Sequence, residues 1–155
     1  PPYRCTLAEA AGAVASVRLP GRFQRVGDWI FDVAHNADGA RTLAGSLRAL
    51  ADGRDVTTLL CVLGDKDWGA MIDALAPVTS RFILTDAPTA PATRRWPLDE
   101  ALERARLTGR VAVAVPSFDD AICMTGQCDG TRLVTGSFHT VGDAMTRLQL
   151  SPVTG

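Results

Sequence analysis

"WIFDVAHNADGARTLAGSL", residues 29 to 47, changes its period halfway along and so decides the fold. Trp29 to Val33 is a short aromatic and β-branched run, the composition of a strand. From Ala40 onward, Leu43, Ala44, Leu47 and Leu50 recur at intervals of three and four, which lines them along one helical face. Asp32, His35 and Asn36 stand where the strand hands over to the helix. Asn36 or Asp38 suits a helix cap, because a short polar side chain offers an acceptor to the orphan N–H groups of the first turn. Capping does not account for Asp32, which closes the strand before the cap.

The same alternation runs through the rest of the chain. Strand-like runs occur at 23–26 "FQRV", 56–63 "VTTLLCVL", 81–85 "RFILT", 111–115 "VAVAV" and 131–135 "TRLVT". Helical spacing links Trp68, Met71, Ile72 and Leu75, then Leu98, Ala101, Leu102 and Ala105, then Val141, Ala144, Met145 and Leu148. A weaker helix is expected from Ser117 to about Gly126. Strands alternating with helices, and apolar almost throughout, predict an α/β fold: a Rossmann-like open, mostly parallel sheet with helices on both faces. Only Gly27 and Asp28 separate the first two runs, which predicts an N-terminal antiparallel β-hairpin, although Asp-Gly is the commoner order. The stretch 86–97 "DAPTAPATRRWP", with Pro88, Pro91 and Pro97, is expected to be flexible.

Composition narrows the function. With 155 residues, 46% hydrophobic and 21% charged, the chain has the make-up of one soluble globular domain. A net charge of −1 gives no reason to expect nucleic acid as a partner, and no apolar run approaches the ~20 residues that cross a bilayer. The start "PPYRCTLAEA" has no Met and no signal-peptide pattern, so the chain is expected to continue something longer, with residues 1–18 as a helix of a preceding element. Cys5, Cys61, Cys123 and Cys128 form no C-x-x-C pair, which predicts reduced thiols in a cytoplasmic protein.

In open α/β sheets, ligands bind beyond the carboxyl ends of the strands. Three polar clusters fall there: "DVAHN" from Asp32, "GDKDW" from Gly64 and "GSFHT" from Gly136. They contain both histidines, His35 and His139, and the only lysine, Lys66. Each has a plain alternative, with Asp67 and Ser137 as helix caps and Gly64-Asp65 as a turn. The sequence contains neither a G-x-x-x-x-G-K-[ST] phosphate loop nor a G-x-G-x-x-G motif.

"LPGRFQRV", "WIFDVAHNADGARTLAGSL", "VLGDKDWGAMIDAL" and "VTGSFHTVGDAM", in this order, resemble the C-terminal domain of the Mur ligase superfamily. Within it the resemblance is to the bacterial dihydrofolate synthase/folylpolyglutamate synthases, and it covers about residues 19–148. It implies a C-terminal glutamate-ligase domain over 19–155, with 1–18 as a linker or the end of a preceding ATPase domain. It also implies an ATP-dependent ligase that makes an acyl phosphate of a pteroate or folate carboxylate, which the amine of L-glutamate then attacks. Carried over, Arg22 contacts phosphates, Asp32 accepts from the ribose hydroxyls and His35 is a further nucleotide contact. Lys66, Ser137 and His139 fall where incoming glutamate is held. The partners implied are the ATPase domain of the same protein, glutamate and the pteroate or folate substrate. The cofactors are ATP and Mg²⁺, the metal's ligands being expected on the ATPase domain.

Some features depart from the family pattern. The P-loop, the magnesium ligands and the pterin pocket have no counterpart, so the chain alone is expected to be inactive, with no catalytic residue of its own. Ala37 replaces the usual proline of the "DGAHNP" pattern. The Arg-Ala pair after the third parallel strand is missing, and Arg94 or Arg95 is a possible substitute. Two other readings stay open: a freestanding non-catalytic α/β binding module, and the same domain from a cell-wall-precursor ligase, which "GSFHTV" speaks against.

Overall fold

The computed structural model describes residue 6, residues 19–50 and residues 53–150. The helix expected over 1–18 and Cys5 lie outside the described residues. Strands β1 (Gln24–Val26) and β2 (Trp29–Asp32) form the expected antiparallel hairpin, with Val26 opposite Trp29. Gly27 has φ +58 while Asp28 does not enter the left-handed region, the pattern of a turn that needs glycine at its first central position. That geometry explains why Gly-Asp, rather than Asp-Gly, stands here.

Helix α1 (Ala37–Leu50) follows, then β3 (Val56–Leu60), α2 (Trp68–Leu75), β4 (Arg81–Leu84), α3 (Leu98–Leu107), β5 (Val111–Ala114), α4 (Phe118–Gly126), β6 (Thr131–Thr135) and α5 (Phe138–Arg147). The six-stranded sheet has the order β1-β2-β6-β3-β4-β5, and every pair except β1–β2 is parallel. From β2 to β5 the chain moves along the sheet in one direction, so right-handed crossovers put α1, α2 and α3 on one face. The return from β5 to β6 puts α4 on the other face, where α5 packs beside it.

Burial broadly follows the apolar spacing, with exceptions at element ends and in the edge strand β5, where Val111 is 57% exposed. In α1, Ala40, Leu43, Ala44 and Leu47 are buried, but Leu50, expected on the same stripe, is 46% exposed at the helix end. The central strand β3 is buried throughout, and its Thr58 hydroxyl meets that of Thr79 at 2.8 Å rather than entering the core unpaired. The apolar run 56–63 outlasts its strand. Cys61, Val62 and Leu63 stay buried but leave the ladder, and Gly64 N–H bonds the Arg94 carbonyl at 2.8 Å.

The segment 86–97 is not the loose loop that its prolines suggested. Trp96 is 4% exposed, and its indole N–H donates to the Thr85 carbonyl at 3.0 Å. Ala92–Arg94 forms a 3-10 turn, and Ala87 N–H reaches the Cys61 sulfur at 3.2 Å. Prolines lower the entropy of the unfolded chain, and a buried indole adds a large apolar anchor, so the two features fix the segment together. Replacing Trp96 by Ala is expected to cost about 3–5 kcal/mol in chemical denaturation, as for a core aromatic. A cost near zero would contradict this packing.

Candidate functional site

The three polar clusters all lie at the carboxyl edge of the sheet, after β2, β3 and β6, and backbone geometry sets each one. Before β1 the chain makes a tight loop in which Gly21 has φ +64 and Phe23, unusually for a bulky residue, has φ +49. Asp32 braces this loop. Its Oδ2 accepts Phe23 N–H at 2.8 Å and its Oδ1 accepts Ala34 N–H at 2.8 Å. Among the described residues Asp32 and Arg22 form no ion pair; the backbone of Phe23 connects them. The exposed Arg22 guanidinium lies over the Phe138 ring, 5.9 Å from its centroid.

His35 approaches the same ring from its own loop, with centroids 6.0 Å apart and planes tilted by 32°. Its Nδ1 is 3.1 Å from the Val33 carbonyl, which can only accept, so Nδ1 carries the proton and Nε2 is left as an acceptor. Of the two expected caps, Asn36 does the work, accepting Gly39 N–H at 2.8 Å, while Asp38 pairs with Arg41.

In the second cluster Asp67 caps α2 through Ala70 N–H at 2.9 Å. Asp65 receives Arg94, whose Nη2 lies 2.9 and 2.8 Å from its two oxygens, and Lys66 Nζ stands 3.4 Å away. The Arg94 guanidinium, with help from Lys66, holds the Asp65 carboxyl below its ordinary 3.8. Of the two arginines left open by the sequence, Arg94 is the one that docks on this loop. Gly64 is obligatory, because a Cβ there would sit 2.4 Å from the Arg95 carbonyl oxygen.

The third cluster is built on the Cys61 carbonyl. Gly136 has φ +116, and a Cβ on it would lie 2.3 Å from that oxygen. Thr140 Oγ1 donates to the same oxygen at 2.8 Å. Its proton thus spent, Thr140 accepts from Ser137 Oγ at 2.7 Å, while Ser137 Oγ accepts Thr140 N–H at 3.1 Å. Ser137 is 2% exposed, so the cap accounts for its hydroxyl, and the loop presents Phe138 and His139 outward instead. His139 Nδ1 lies 3.0 Å from Thr89 Oγ1.

Sequence reasoning missed Phe138, which is 62% exposed. The spacing concealed it, since Phe138 stands three and seven residues before the buried Val141 and Met145, on the same helical stripe, and is exposed because it opens α5 at the edge of the sheet. Among the described residues no group of three His, Cys, Asp or Glu could hold a metal, and no helix is long and apolar enough to cross a membrane. The described cysteines, Cys61, Cys123 and Cys128, are free.

The domain is an open, mostly parallel α/β sheet with helices on both faces, and its carboxyl edge carries a guanidinium, two imidazoles and an ammonium, at the edge where such sheets hold ligands. The chain is a member of the family described as "Mur ligase, glutamate ligase domain", whose model matches residues 21–138. The dihydrofolate synthase/folylpolyglutamate synthase of Escherichia coli (strain K12) is 34% identical over 135 residues, 85% of this chain and 31% of that protein. The solved E. coli FolC, in complex with DHPP and ADP, superposes with a TM-score of 0.83 at 28% identity, over 96% of this chain and 36% of that one. The bifunctional enzyme from Yersinia pestis, complexed with AMPPNP and Mn ion, gives 0.78 at 26% identity, over 96% of this chain and 36% of that one. The chain thus spans about a third of the length of these proteins.

Burial pushes the Cys61 thiol up to about 11, and Cys123 is exposed. Since only the thiolate alkylates, brief iodoacetamide treatment at about pH 8 should label Cys123 and spare Cys61 until the protein unfolds. Equal labelling of the folded protein, read by peptide mass mapping, would contradict this burial.

Proposed function

We propose that this chain is the glutamate-handling part of an ATP-dependent ligase that adds L-glutamate to dihydropteroate or folate in the cytoplasm. Residues 19–155 are its C-terminal domain, and residues 1–18 are the linker or the end of a preceding ATPase domain. The observation that carries the reading is the line of Arg22, Phe138 and His35, a guanidinium and an imidazole flanking an exposed ring at the carboxyl edge. The family membership and the nucleotides bound to the solved relatives support it.

The chemistry is coherent with these groups. ATP phosphorylates a substrate carboxylate, and the glutamate amine attacks the acyl phosphate and expels phosphate. Both steps concentrate negative charge on oxygen, which positioned cations stabilise. Arg22 supplies a planar fork suited to phosphate oxygens. Each Asp32 oxygen already accepts one backbone N–H and has a second lone pair to offer a ribose hydroxyl. His35 offers Nε2 to the nucleotide.

On the other side, Lys66 on the loop after β3 meets a glutamate carboxylate and His139 on the loop after β6 is a second contact, with Ser137 holding that second loop through the cap. The described residues do not fit a metal ion, so no step is assigned to Mg²⁺ on this chain and its ligands fall to the companion domain. The ATPase phosphate loop is likewise on that domain, and this chain alone is inactive.

Arg22→Ala in the full-length protein tests the assignment. Arg22 is exposed and its mapped side-chain contact is with the Phe138 ring, so the fold should persist. Ligation kcat/KM is expected to fall about 100-fold, the scale of losing one cation aimed at developing charge. Turnover near that of the unaltered protein would overturn the role of Arg22.

A further inference from the structure

His139 belongs to a relay that neither the cap of α5 nor the core explains. Thr89, from the segment between β4 and α3, donates its hydroxyl to Asp143 Oδ2 at 3.1 Å and its backbone N–H to the same oxygen at 3.0 Å. Asp143 lies one turn beyond His139 on α5 and is 4% exposed, and Arg147 Nη1 stands 3.9 Å from its other oxygen. An apolar contact would anchor the segment without the cost of burying a carboxylate, so the charge calls for a purpose beyond anchoring.

Proton counting supplies one. Thr89 has a single hydroxyl proton, and it goes to Asp143. The 3.0 Å contact between Thr89 Oγ1 and His139 Nδ1 must then be donated by the imidazole. Nδ1 carries the hydrogen, and Nε2 keeps its lone pair. A free histidine side chain favours the opposite, Nε2–H, tautomer, so the relay has something to hold.

The segment that carries Thr89 also carries Arg94, which grips Asp65 beside Lys66. One strap therefore connects an ammonium loop, suited to a carboxylate, with an imidazole acceptor, suited to an amine. Those are the two ends of an α-amino acid.

We propose that Thr89 and Asp143 are positioning residues that hold His139 as its Nδ1–H tautomer, so that Nε2 accepts an N–H of the incoming amino acid's amino group. The amine role rests on the ligase reading above, whereas the tautomer does not. Long-range 1H–15N correlation spectra of this chain distinguish the tautomers directly, and its two histidines are told apart with His35→Gln. Neutral His139 should appear as the Nδ1–H form, and Thr89→Val should lose that form while Thr89→Ser keeps it. An Nε2–H form in the unaltered protein, or no change in Thr89→Val, would overturn the relay.

In the full-length protein, Thr89→Val should raise the KM for glutamate about tenfold, the scale of one misplaced hydrogen bond, with the KM for ATP unmoved and Thr89→Ser restoring the original value. An unchanged KM for glutamate would overturn the amine role. Failure of the unaltered full-length protein to add glutamate would overturn the ligase reading, and the amine role with it, while leaving the tautomer result standing.

Discussion

Past Leu60 the backbone of the central strand leaves the ladder, and the carbonyl of Cys61 turns toward the loop after β6. Two residues there receive it: Gly136, which has no Cβ to collide with the oxygen, and Thr140, which donates to it at 2.8 Å. A buried carbonyl left without that donor costs about 1–3 kcal/mol, and any side chain at 136 would have to displace main chain. Through this contact the first turn of α5 is docked onto the middle of the sheet. Ser137 is thereby drawn into the cap, Phe138 is turned outward toward Arg22 and His35, and His139 is aimed at Thr89. The positions of Ser137, Phe138 and His139 follow from one main-chain oxygen.

A second constraint acts from the other side. The segment 86–97 is pinned by Trp96 in the core, by Arg94 on Asp65, by the main chain at Gly64 and by Thr89 on Asp143. It ties the loop after β3 to the start of α5 across the end of β4. Lys66 and His139, distant in sequence, thus share one rigid support. Asp32 plays the corresponding part at the opposite end. Charge-assisted hydrogen bonds to Phe23 and Ala34 offset the strain of a phenylalanine at φ +49 and fix the loop that carries Arg22.

The fold was legible because each element announced its own period. The change from two to three-and-four at Asn36, the buried β3 and the two-residue hairpin turn are all local signals. What escaped was non-local. Thr89 and Asp143 are 54 residues apart, and nothing in either neighbourhood names the other. Trp96 was hidden by the prolines around it, since composition reports what a loop contains and not what buries it. Asp32 was singled out correctly as unexplained by capping, but its first task, bracing Phe23, depends on a backbone angle that no pattern reveals. Ser137 shows the converse, as its cap was foreseen and uses the hydroxyl that a ligand would need.

On the function proposed above, this edge is half of a site that a neighbouring ATPase domain completes. Phe138 and Arg22 then form a lid over a nucleotide held mainly elsewhere, and the chain should have little grip on ATP by itself. Isothermal titration of ATP into this chain and into the full-length protein measures that division. Micromolar binding is expected of the full-length protein and a Kd weaker than ~1 mM of this chain, a difference of about 4 kcal/mol or more. Micromolar binding by this chain alone would contradict that division, because the nucleotide platform would then lie on the sheet described above.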